Sequence, residues 1–166
     1  MAVQNWTSFT LRIPVIASPE KLYWCWATRE GMEYWFLRLS EYISKDTVHR
    51  KPEEKVQPGD TYRWLWHGWP DETVETGTIL GANGTDFFRF SFGKAGNCSV
   101  RIYQEGESQL VELIQEDIPD TEEGKQYWHL GCKTGWTFYL SNLKSLLEGG
   151  IDLRNKNGQL KNVLNS

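Results

Sequence analysis

His129, Cys132 and Trp136 stand at positions i, i+3 and i+7. On an α-helix that spacing brings an imidazole, a thiol and an indole to one face. Two chemistries would fit. The imidazole could activate the thiol as a nucleophile if it reaches the sulfur, or the group could be a polar handle in an aromatic pocket. The structural alternative is a histidine near a helix end that hydrogen-bonds to a loop. That reading is preferred, because no partner base or oxyanion donor can be named from the sequence. His67 closes the run Tyr62-x-Trp64-x-Trp66 at a strand end. It could serve as acid or base at a cavity mouth, although a turn histidine in solvent is the plainer expectation. These two are the weak catalytic candidates. His49 lies in a polar loop beside Arg50 and Lys51 and is expected to be exposed.

The stronger candidates are apolar. Trp64, Trp66, Phe88, Phe90, Cys132, Trp136 and Tyr139 could line a cavity that holds a planar or acyl ligand by apolar burial. The opposing expectation is that the same rings meet and fill the space. No HxxxH, HExxH or paired-cysteine spacing is present, so no metal site is expected. There is no glycine-rich phosphate loop and no GxSxG elbow, and no cofactor is expected.

The elements that must position these residues follow from periodicity. Residues 121–150 carry Trp128, Cys132, Trp136, Tyr139, Leu143, Leu146 and Leu147 at helical spacing. Asp120 or Thr121 can cap the start, with Asp120-x-x-Glu123 as a loose capping box, and Gly149-Gly150 ends the helix. At the other end of the chain, Phe9, Leu11, Ile13 and Val15 alternate with polar residues as a half-buried strand. Ser18-Pro19-Glu20 then opens a helix, and a second short helix carries Met32, Tyr34, Trp35 and Phe36. A weak strand is expected over 41–48. Residues 51–59 are a polar loop with two prolines. Five strands follow over 60–67, 73–80, 87–92, 98–103 and 109–115, with Asn83-Gly84 as a hairpin turn. Residues 1–150 read as one domain and 151–166 as a C-terminal tail that packs locally or frays.

Nine Trp, seven Tyr and seven Phe supply an aromatic-rich interior. The net charge of −4 and the lack of a basic run argue against nucleic acid or an anionic membrane surface as partner. No apolar stretch reaches membrane-spanning length, and residues 1–15 do not read as a signal peptide. Three well-separated cysteines point to reduced thiols in a cytoplasmic protein.

The order strand, two short helices, antiparallel meander, long helix resembles the helix-grip fold of the START/Bet v 1-like (SRPBCC) superfamily. Within it the chain resembles the family named after the activator of Hsp90 ATPase (AHSA1-like). The residues that carry this are Ile16-Ala17-Ser18-Pro19-Glu20, Trp35, Gly59 with Tyr62-x-Trp64-x-Trp66, and Gly77-Thr78-Ile79. Phe90-Ser91-Phe92, His129-x-Gly131-x4-Trp136 and Tyr139-Leu140-x2-Leu143-x3-Leu147-Glu148 complete the set. The resemblance implies an α+β fold, with a curved antiparallel sheet of six or seven strands wrapped around the C-terminal helix. It implies a concave face bearing Tyr62, Trp64, Trp66, Ile79, Phe88, Phe90, Phe92, Val100, Ile102, Val111 and Leu113. The leading function is then non-catalytic binding of a small hydrophobic molecule between sheet and helix, with the loops 51–59 and 93–97 governing entry. The alternatives are a cyclase or hydrolase using a cavity histidine, and a co-chaperone-like protein-interaction module. Leu65, Leu110 and Ile114 fall on the convex face, where a second copy could cover them as a homodimer.

Overall fold

A computed structural model describes residues 4–164 of the chain. Strand β1 spans Phe9–Pro14 and is followed by helices α1, Pro19–Ala27, and α2, Arg29–Trp35. The meander comprises β2 (Leu39–Ile43), β3 (Thr61–Leu65), β4 (Val74–Ala82), β5 (Phe87–Ser91), β6 (Asn97–Glu105) and β7 (Ser108–Glu116). A π-helical segment, Gly124–Gly131, leads into the long helix α3, Cys132–Leu147. The seven strands form one sheet in the order β1-β7-β6-β5-β4-β3-β2. Every paired neighbour is antiparallel. This is the helix-grip arrangement.

Local chemistry explains the corners. Ser18 Oγ accepts the Lys21 N–H at 3.1 Å, with Pro19 in the first turn of α1. Thr28 Oγ1 then caps α2 by accepting from Gly31 N–H at 2.9 Å. Gly31 is required there, because a β-carbon would stand 1.9 Å from the Trp24 carbonyl oxygen. At the β4–β5 turn, Asn83 Oδ1 accepts from the N–H groups of Thr85, Asp86 and Phe87, each at 3.0 Å. Gly84 takes the positive φ of 85° that this turn needs. A register shift between Ile79 and Gly81 adds curvature to β4.

The concave parity expected from the sequence is observed. Tyr62, Trp64, Ile79, Phe88, Phe90, Val100, Ile102, Val111 and Leu113 are all buried in one core, with Trp66 and Phe92 packed against its edge. On the other face, Leu65 is 2% and Leu110 8% exposed within the single chain. These two therefore need no second copy to cover them, whereas Ile114, the third residue of that set, is only partly buried.

One further expectation changes. The run from residue 121 is not a uniform α-helix. Thr121 Oγ1 does cap it, accepting from Gly124 N–H at 3.0 Å, but residues 124–131 are wound as a π-helix. Two tertiary bonds hold this widened segment. Gln115 Nε2 donates to the Trp128 carbonyl, and His129 Nδ1 bonds the Trp6 carbonyl. A side chain reaching into the helical ladder is a known cause of such departures. The stretch after Gly150 is also anchored at its start. Arg154 donates to the carbonyls of Glu33 (3.1 Å), Tyr34 (2.8 Å) and Leu37 (3.2 Å), at the C-terminal end of α2. Asp152 holds its guanidinium at 2.8 and 2.9 Å. Asn142 of α3 completes the latch, donating to Trp35 O and accepting from Leu153 N–H.

Candidate functional site

The interior between sheet and helix is occupied by rings. Trp136, from α3, stands among Phe36 (4.9 Å between centroids), Phe92 (5.8 Å), Trp26 (5.9 Å) and Phe90 (6.2 Å). Trp64 stacks on Tyr62 at 3.9 Å and meets Phe90 edge-on at 5.1 Å. Tilted and edge-on pairs of this kind are favourable and leave little void.

An apolar cleft of about 90 Å³ lies at the rim of these rings. Its walls come from four places. Phe36 follows α2, Trp66 follows β3, Phe92 follows β5, and α3 contributes Cys132, Gly135, Trp136 and Tyr139. All are apolar or nearly so. A larger groove, of about 770 Å³, runs between the β1–α1 corner and the end of α3. Its walls mix the apolar Pro14, Val15 and Ile16 with the charged Glu107, Lys144 and Glu148.

The candidate residues separate accordingly. Trp66, Cys132, Trp136 and Tyr139 border the cleft. Trp64, Phe88 and Phe90 lie beneath, 0%, 1% and 0% exposed. Phe36, Phe92 and Gly135 join the cleft without having been singled out for it. The 93–97 turn adjoins it through Phe92, whereas the 51–59 loop is tied elsewhere, Val56 N–H donating to Ala27 O at 2.8 Å.

His129 is 1% exposed. Its ring sits edge-on between Trp6 (5.1 Å) and Phe9 (5.3 Å), and Nδ1 is 3.0 Å from the Trp6 carbonyl oxygen, to which it donates. The widened π turn carries it toward β1 while Cys132 faces the cleft. Cys132 N–H donates to the His129 carbonyl within the helix, but among the described residues no side-chain hydrogen bond joins the imidazole to the thiol. Burial pushes the Cys132 thiol up, so its nucleophilic thiolate is disfavoured. His67 borders a different groove, with Arg38, Trp69, Asp71, Lys156 and Lys161. Burial and the nearby Arg154 and Lys156 charges lower its pKa to about 4.

Sequence reasoning missed Gln115. It is fully buried on the concave face of β7 and organises the cleft's back wall. Its Oε1 accepts from Trp136 Nε1–H at 3.0 Å and from the Cys98 thiol at 3.5 Å. Its Nε2 donates to Ala95 O at 3.0 Å and Trp128 O at 3.3 Å. The available signal was parity: Val111, Leu113 and Gln115 alternate on one face, and the third is polar. Glu75 was missed for the same reason, being directly opposite Trp64 in the β3–β4 pair. Desolvation raises its carboxyl above the ordinary range.

Among the described residues no group of three or more His, Cys, Asp or Glu could hold a metal ion. None of their helices is long and apolar enough to cross a membrane.

No family model matches the chain, and no curated protein matches it. Solved structures do match in fold. The Aha1 dimer from Colwellia psychrerythraea aligns with a TM-score of 0.66 at 17% identity, covering 86% of this chain and 97% of that one. Protein SSP2350 from Staphylococcus saprophyticus gives 0.67 at 21% identity, covering 89% and 96%. DynU16, a protein in the dynemicin biosynthetic locus, gives 0.60 at 18%, covering 90% of this chain but 50% of its own. At such identities the likeness establishes architecture alone. The chain has the helix-grip fold, which it shares with an Aha1 protein.

Proposed function

We propose that the chain is an AHSA1-like member of the START/Bet v 1-like superfamily and that it binds a small apolar group in the rim cleft without catalysing its conversion. The observation that carries this is the cleft itself: an apolar opening, walled by Phe36, Trp66, Phe92, Trp136 and Tyr139, in an interior otherwise filled. A space of about 90 Å³ admits one ring or a short alkyl end. It is well below the roughly 300–1,000 Å³ of sites that enclose drug-sized ligands. The ligand is therefore held by one end. Burying about 100 Å² of its apolar surface contributes about 2.5 kcal/mol before losses of mobility, so binding is weak for an isolated ring. The absence of catalysis is supported by the committed hydrogen bond of His129 and the raised Cys132 thiol.

The setting proposed is cytoplasmic. A homodimer is the proposed assembly, on the precedent of the Colwellia protein, and light scattering in solution tests it. The binding reading is tested by native mass spectrometry of gently purified protein, with and without added benzyl alcohol. The expected result is a co-purified small molecule or a one-to-one adduct. A bare spectrum in both samples, with no spectroscopic change on adding the alcohol, would contradict the reading.

A further inference from the structure

Glu75 is a polar group just outside the walls of the apolar cleft. It faces the concave side from β4, paired across the sheet with Trp64. Its carboxylate lies against Gly93, where a β-carbon would stand 2.7 Å from Oε1. Gly93 directly follows Phe92, a wall of the cleft. The Glu75 charge is also felt at Tyr62 of β3, Cys98 of β6 and Cys132 of α3, so three elements converge on it.

Among the described residues nothing donates a hydrogen bond to this carboxylate, and no cation pairs with it. The sheet arginines Arg63 and Arg89 stand on the opposite face, paired with Glu41 at 3.3 Å and Glu116 at 2.9 Å. A half-buried carboxylate without a donor is costly to keep in a fold. A ligand donor would relieve that cost.

We infer that the ligand of this cleft carries a protonated amine, and that Glu75 receives it while the apolar end lies against Trp66, Phe92 and Trp136. The inference rests on the rim cleft being the binding site. An ammonium N–H donating to a Glu75 oxygen makes a charge-assisted bond, stronger than a neutral one, and the aromatic walls favour a cation near their faces. The same carboxylate repels acids and phosphates, so it selects by exclusion as well as attraction.

The test compares benzylamine, a cation at neutral pH, with benzyl alcohol, a neutral molecule of nearly equal size. Both are titrated into the full chain and followed by tryptophan fluorescence. The expected result is that the amine binds about tenfold more tightly than the alcohol. Glu75→Gln should bring the two to within about twofold, and Glu75→Asp, which keeps the charge, should retain most of the preference. Equal binding of both probes to the wild-type chain would overturn the inference while leaving the cleft as a binding site. A preference for the amine that survives in Glu75→Gln would also overturn it. Binding of neither probe would sink the cleft reading together with the inference.

Discussion

Gln115 shows how one polar side chain can set the geometry of an apolar site. Its amide satisfies the Trp136 indole on one side and the carbonyls of Ala95 and Trp128 on the other. These groups come from α3, the β5–β6 turn and the π segment, so one side chain ties three elements together. Buried groups left without partners cost about 1–3 kcal/mol each, and truncation adds a cavity. Gln115→Ala is therefore expected to lower unfolding stability by about 2–4 kcal/mol. The check is the urea midpoint, with the m-value unchanged. A loss below about 1 kcal/mol would mean that water replaces the amide without penalty. At this scale the sequence was legible for the rings and poorly legible for what joins them. The alternation of Tyr62, Trp64 and Trp66, and of Phe88, Phe90 and Phe92, identifies the concave face directly. Whether those rings leave a void depends on their rotations, which periodicity does not encode. Gln115 and Glu75 could have been noticed as polar residues on that face, since a buried polar group there implies a partner.

Among elements, the helix that closes the grip carries its own weak point. Gly135 lies within α3 and borders the cleft, and a β-carbon on it would meet nothing within 4 Å. Glycine inside a helix costs about 0.5–1 kcal/mol relative to alanine. Gly135→Ala is expected to raise stability by about that amount. The added methyl narrows the cleft, so the same variant should bind an aromatic probe more weakly. A thermal melt and a fluorescence titration on one sample check both halves. Gain of stability with unchanged binding would move the site away from α3. Element boundaries were largely readable because the punctuation is chemical: Ser18 and Thr121 cap, Asn83-Gly84 turns, and Gly149 takes a φ of 81° after the last turn. The π winding of 124–131 was not readable, because it is imposed by bonds to Gln115 and Trp6, far away in sequence. The docking of Arg154 escaped for the same reason. A lone arginine in a polar tail carries no periodic signal, and its three carbonyl acceptors lie in the last turn of α2 and just beyond it.

The whole molecule couples that docked segment to pH through His67. Burial and the Arg154 and Lys156 charges lower His67 to about 4, with Asp152 opposing them and Arg38 adding to them. The unfolded chain, near 6.5, takes up a proton first as pH falls. His67 thus contributes stability that is full above about pH 6.5 and is lost toward pH 4. The ring is partly exposed, so solvent screening reduces the effect to about 1 kcal/mol. Glu75 acts in the opposite sense. Its raised carboxyl adds stability at low pH that disappears as pH rises through its folded value. Comparing wild type with His67→Gln isolates the histidine. The difference in unfolding free energy is expected to be flat above pH 6.5 and to slope only below it. A difference that does not vary with pH would show that His67 titrates alike in both states.

The central claim is that the grip is filled by aromatic rings and binds at its rim. The most direct measurement is a titration of isotope-labelled protein with benzyl alcohol, following the indole N–H signals by NMR. Trp66 and Trp136, at the cleft, are expected to shift progressively. Trp26 and Trp35, fully buried behind them, are expected to stay in place. Shifts at Trp26 and Trp35 as well would mean that the ligand enters the interior, and silence at Trp66 and Trp136 would mean that the rim is not the site.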